Sequence, residues 1–132
     1  MPLQLRISPL YAALLAILFI ALSVRALRLR RHLKIAVGDA GDTQMLRAMR
    51  AHANFAEYVP MCLLLLALVE LHGGRNPWVL HGLGLTLLAG RLSHAWGVSQ
   101  VHENYRFRVF GMVMTFITLA ACAVFLLGTW RR

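Results

Sequence analysis

The chain has 132 residues, of which 59% are apolar and only 14% charged, with a mean hydropathy of +0.63. That composition is too apolar for an ordinary soluble domain of this length, and lipid is the expected solvent. The net charge of +9 does not form one basic stripe interleaved with aromatics but gathers between the apolar stretches, so no nucleic acid partner is expected.

A helix needs about 20 mostly apolar residues to cross the hydrocarbon core. The first 18 residues free of Asp, Glu, Lys and Arg run from Ile7 to Val24. They end in Ser23-Val24-Arg25-Ala26-Leu27-Arg28, which is basic where signal cleavage would need small neutral residues, so the segment reads as a retained anchor. Gly38-Asp39-Ala40-Gly41-Asp42 then breaks the chain, and Asp42 or Thr43 can cap a second helix.

That second helix contains 12 uncharged residues from Tyr58 to Val69, and a third contains 15 from Asn76 to Gly90; each spans the membrane only by taking charged residues into it. Gly73-Gly74-Arg75-Asn76-Pro77 between them reads as a tight turn, with Asn76 as cap and Pro77 in the first turn. Asn104 is the start signal of a fourth helix, whose apolar run from Val109 to Trp130 has 22 residues. The expectation is one all-α domain over residues 1–132, an integral membrane four-helix bundle with helices near 7–28, 44–71, 77–98 and 106–130.

Basic residues set the expected orientation. Arg25, Arg28, Arg30, Arg31, Lys34, Arg47 and Arg50 surround the first loop and Arg106 and Arg108 the third, against Arg6, Arg75, Arg131 and Arg132 on the other side. By the positive-inside rule the first and third loops face the cytoplasm and both termini lie outside, in a bacterial inner membrane.

Arg47, Arg50, Asn54 and Glu57 recur at spacings of 3, 4 and 3, which places them on one stripe of the second helix. Arg91 and His94 share a face of the third helix at the same depth. A charge at mid-membrane costs roughly 2.5–3.5 kcal/mol on insertion scales, so the stripe is expected to face protein or a wet cavity. The plainest structural reading is an ion-pair network of Glu57 with Arg50 or Arg91. Against it, Glu57 as the one membrane-buried carboxylate cannot neutralise Arg47, Arg50 and Arg91 together, and surplus guanidinium charge invites an anionic ligand. Residue chemistry alone leaves a small anionic metabolite and a lipid head group equally open.

The remaining polar residues read as structural. His52 lies opposite Glu57 and is expected to pack; Glu70 is expected to cap or snorkel at the outer end; His32, His72, His81 and His102 lack metal-ligand spacing, and no metal is expected. Cys62 and Cys122, inside apolar runs, are expected to be buried and reduced.

The run Arg47-Ala48-Met49-Arg50-Ala51-His52-Ala53-Asn54-Phe55-Ala56-Glu57-Tyr58-Val59-Pro60 resembles the MAPEG family of membrane-associated proteins in eicosanoid and glutathione metabolism. Its pattern is R-x-x-R-A-x-x-N-x-x-E-x-x-P, and the likeness continues in Gly90-Arg91, His94 and the third-loop arginines followed by Gly111. The resemblance implies a four-helix transmembrane bundle assembled as a homotrimer, with glutathione as co-substrate between subunits near the cytoplasmic face. It further implies that Arg50, Asn54, Glu57 and Tyr58 hold glutathione, with Arg47, Arg91 and His94 beside them and Arg25 reaching a carboxylate. Arg108, or else Arg106, would stabilise the thiolate. A lipophilic electrophile or hydroperoxide would arrive from the bilayer.

Where some catalytic members carry a third-helix tyrosine, this chain has His94, and Val98 follows Gly97, which leaves arginine alone to stabilise the sulfur. The same family includes non-enzymatic lipid-binding proteins, so a lipid-binding scaffold is the alternative. A small drug/proton exporter would require a carboxylate in the first helix, which has none.

Overall fold

A computed structural model of the chain describes residues 4–73 and 76–130. Arg75, Arg131 and Arg132, counted above toward the outer side, and Gly74 of the expected turn lie outside the described residues. Four helices follow one another: α1 Ser8–Leu33, α2 Thr43–Leu71, α3 Pro77–Ser99 and α4 Tyr105–Thr129. The chain is therefore all-helical, and α1, α2 and α4 are long and apolar enough to cross a membrane.

The predicted caps form. Asp42 accepts from the Met45 N–H at 2.8 Å, Asn76 from the Trp78 N–H at 3.0 Å and Asn104 from the Arg106 N–H at 3.1 Å. Each satisfies a backbone donor that the helix start leaves without an intrahelical partner. The end of α1 differs from expectation: the helix continues through Leu29-Arg30-Arg31-His32-Leu33 before Lys34, at φ 55°, turns it off. Hydropathy drops at Arg25 but nothing breaks the backbone there. Arg30 then reaches past the helix end to the Gly38 carbonyl at 2.9 Å.

Glu70, near the end of α2, caps a different helix from its own. One carboxylate oxygen accepts from the Arg6 and Ile7 N–H groups at 2.7 and 2.8 Å, and the other from the Ser8 N–H and hydroxyl at 2.8 and 2.6 Å. This joins the start of α1 to the end of α2, where the positive end of the helix dipole favours a carboxylate.

The most extensive helix pairing is α3 on α4, and glycine makes it possible. A Cβ on Gly111 would lie 2.5 Å from the Gly90 carbonyl oxygen, and one on Gly90 would lie 2.6 Å from Met114 Cβ. Small residues let backbones approach where lipid supplies no hydrophobic drive between helices. Leu15, Ala51, Phe55, Val59, Cys62 and Leu87 fill the core toward the end that carries the α1–α2 and α3–α4 loops, called the basic end below. Tyr11, Leu66, Val69, Leu80 and Cys122 fill the opposite end. Both cysteines are buried and free. His52 packs as expected, stacked on Phe19 at 4.8 Å between ring centroids and 3.1 Å from the Ser23 hydroxyl.

Candidate functional site

At the basic end, α2, α3 and the start of α4 enclose a cleft of about 230 Å³. Arg47, Arg50 and Asn54 reach it from α2, His94 from α3 and Arg108 from α4. The four-residue rise from Arg50 to Asn54 and the cap at Asn104, which starts α4 a few residues ahead of Arg108, set these positions.

The expected stripe on α2 divides. Arg47 and Asn54 turn inward against α3, whereas Arg50 and Glu57 are exposed on the outer face of the helix. Among the described residues the ion pair of Glu57 with Arg50 or Arg91 does not form. Glu57 is not buried within the chain. The carboxylate buried in this cluster is Glu103, in the α3–α4 loop, a residue the sequence analysis did not single out. Its side chain is only 3% exposed and bridges Arg47 at 2.8 Å and Arg108 at 3.3 Å. Arg47 also donates to the Val98 carbonyl at 3.3 Å.

Arg91 is fully buried and has no carboxylate partner among the described residues. Neutral groups hold it: Asn54 Oδ1 at 2.6 Å, Thr115 Oγ1 at 3.4 Å and His94 Nδ1 at 3.3 Å, with the Phe55 ring 5.8 Å away. Its Nε has no acceptor. The guanidinium thereby fixes Asn54 by its amide oxygen and leaves the amide N–H groups for other acceptors, a directional consequence of Arg being donor-only.

Tyr58 is half-buried, edge-on to Phe116 at 5.7 Å. Arg106 is exposed and does not line the cleft; Arg108 does. Arg25 lies elsewhere: both terminal nitrogens engage Ser99, at its hydroxyl and carbonyl, in a groove between α1 and α3. Three arginines thus line a cleft in which one carboxylate, Glu103, serves two of them, and Arg50 has no partner among the described residues. The arrangement can bind an anion through Arg50 and Arg108 and present polar N–H groups from Asn54. At about 230 Å³ it is smaller than the roughly 300–1,000 Å³ of complete small-molecule sites, and it opens on the outer face of α2.

Glu103, with Thr115 and Met112 beside Arg91, is what sequence reasoning missed. It stands between His102 and the Asn104 cap, 56 residues after Arg47 in the first turns of α2.

A model of the MAPEG family matches residues 8–128. The chain is 38% identical over 113 residues to the inner membrane protein YecN of Escherichia coli strain K12, an alignment covering 86% of this chain and 84% of that protein. The YecN protein of Escherichia coli O6:H1 strain CFT073 matches to the same extent. No solved structure matches.

Proposed function

The chain belongs to the MAPEG family, and from that premise we propose that it is a glutathione-dependent transferase or peroxidase acting on lipophilic electrophiles from within the membrane. The observation that carries this reading is the guanidinium surplus of the cleft, where among the described residues Arg50 has no partner and Arg108 shares one carboxylate with Arg47. Bound glutathione would supply the sulfur nucleophile.

Arg50 pairs with a carboxylate of the tripeptide, the Asn54 amide donates to its backbone, and Glu57 with Tyr58, one turn further along α2, holds the amino end. Arg91 and His94 keep Asn54 oriented, and Arg47 ties α2 to Glu103. Arg108 faces the sulfur. A thiol with pKa near 8.5 is only about 3% ionised at pH 7, and an arginine that lowers it by roughly two units, about 2.7 kcal/mol, makes most of it thiolate. The sulfur then bonds to the electrophilic carbon as the leaving anion departs. Arg25 is omitted from this assignment because Ser99 holds it in another groove.

The open outer side of the cleft favours closure by a second copy, in a homotrimer of inner membrane subunits with the basic end in the cytoplasm. The test uses protein purified in detergent. Glutathione should raise a thiolate absorbance and be conjugated to a halonitrobenzene, and Arg108→Ala should lower kcat/KM about 100-fold at unchanged melting temperature, the equivalent of two pKa units. Absence of binding at millimolar glutathione rejects the reading. One observation favours the alternative of a lipid-binding scaffold without turnover: Glu103 already accepts from Arg108. A scaffold predicts no conjugation and indifference to Arg108→Ala.

A further inference from the structure

A larger groove, of about 1020 Å³, lies between α1 and the end of α3 with the α3–α4 loop that follows it, Ser99 to His102, and shares no residue with the cleft described above. Its α1 wall changes character along its length. Ile17, Ile20 and Val24 form the half toward the membrane interior; Arg25, Arg28 and His32 form the half at the basic end. From Ile17 to His32 the wall runs about 22 Å at 1.5 Å per residue. His102 faces the cationic half from the α3–α4 loop, and no Asp or Glu lines the groove.

A second, apolar hollow continues it between Leu18, Leu22, Leu92 and Trp96, sharing Ala21, Arg25, Ser99 and Gln100 with it. Trp96 and Ile17 are 63% and 65% exposed. Arg25 is committed to Ser99, but Arg28, His32 and His102 are exposed and have no hydrogen-bond or ion-pair partner among the described residues.

A cationic, acid-free mouth at the membrane boundary that opens into an apolar channel running toward the bilayer centre is complementary to one kind of molecule in the surrounding solvent. We infer that the α1–α3 groove is a binding site for an anionic phospholipid, its phosphate on Arg28 and His102 and an acyl chain along Ile20, Ile17 and the Leu92–Trp96 side of α3. A free anion would gain nothing from the apolar half, and a zwitterionic lipid would gain little from the cationic half. Each arginine near the membrane surface adds about fivefold to the affinity for an anionic lipid. The groove is separate from the glutathione cleft, so the two readings stand or fall independently.

The full-length protein, purified in a non-ionic detergent, is equilibrated with phosphatidylglycerol or phosphatidylethanolamine of matched acyl chains, and retained lipid is counted by native mass spectrometry. One phosphatidylglycerol per chain is expected, with phosphatidylethanolamine lost. Arg28→Gln should retain about fivefold less phosphatidylglycerol, and Arg28→Gln with His102→Gln less again. Arg31→Gln, an exposed arginine off the groove, should retain the native amount. Melting temperature identifies any variant that has lost its fold, in which case His102→Gln alone carries the comparison. Equal retention of the two lipids, or retention indifferent to both Arg28→Gln and His102→Gln, overturns the inference, as does displacement of the lipid by millimolar inorganic phosphate.

Discussion

Asn54 is the residue through which the buried charge meets the cleft. Its amide oxygen accepts from Arg91 at 2.6 Å while its side chain lines the site. Replacing it removes the best acceptor of a guanidinium that is already short of one, since Arg91 Nε is unsatisfied. Leaving a buried donor unpaired costs about 1–3 kcal/mol, and more for a charged group. Asn54→Leu should therefore lower thermal stability in detergent by at least that amount, and Asn54→Asp should recover it by giving Arg91 a carboxylate. If Asn54→Leu melts like the native protein, Arg91 does not depend on this bond. The reason Arg91, Asn54 and His94 could be found in the sequence, but Thr115 and Met112 could not, lies at this scale. A lone arginine in an apolar run announces burial and Asn54 falls in step with Arg47 and Arg50, whereas Thr115 and Met112 are ordinary helix residues until α4 is brought against α3. Glu103 escaped for the same reason: Arg47 lies 56 residues before it, and no local pattern links them.

Helix starts were legible because capping is local. Asp42, Asn76 and Asn104 each bond a backbone N–H two or three residues ahead. The end of α1 was not, because hydropathy reports where lipid ends and not where the backbone stops being helical; Arg28, Arg30 and Arg31 are good helix formers outside it. Between elements, glycine sets the α3–α4 distance, and the two glycines of α4 should differ sharply in what they tolerate. Gly111→Ala forces a Cβ to within 2.5 Å of the Gly90 oxygen and of His94 Cβ, so one helix must retreat. A cost of about 1–3 kcal/mol is expected, as for overpacked cores. Gly128→Ala meets nothing within 4 Å and should be neutral or raise stability by up to about 1 kcal/mol from helix propensity. Melting curves of the two variants side by side check this, and equal effects would mean the α3–α4 contact is loose.

At the scale of the molecule, the outside of the bundle is as apolar as its inside. Ile17, Leu64, Leu85, Val124 and Leu127 are all more than half exposed, and less than a third of each spanning window of α1, α2 and α4 is covered within the chain. Lipid or further copies must cover the rest. The cleft adds a reason for copies on the α2 side, where Arg50 and Glu57 stand uncovered. A cross-linked or mass-resolved trimer is expected in mild detergent, and conditions that reduce it to single chains should abolish glutathione binding; retention of binding by single chains would show the cleft complete in itself.

Arg91 also bears on how the protein is made. The three helices long and apolar enough to cross a bilayer are α1, α2 and α4, and α3 holds a cation that bonds to Asn54 of α2 and Thr115 of α4 as well as to its own His94. Emerging third from the ribosome, α3 meets Asn54 already installed but waits for Thr115. Stable residence of α3 in the membrane is therefore expected to await α4, so that the order of synthesis is not the order of residence.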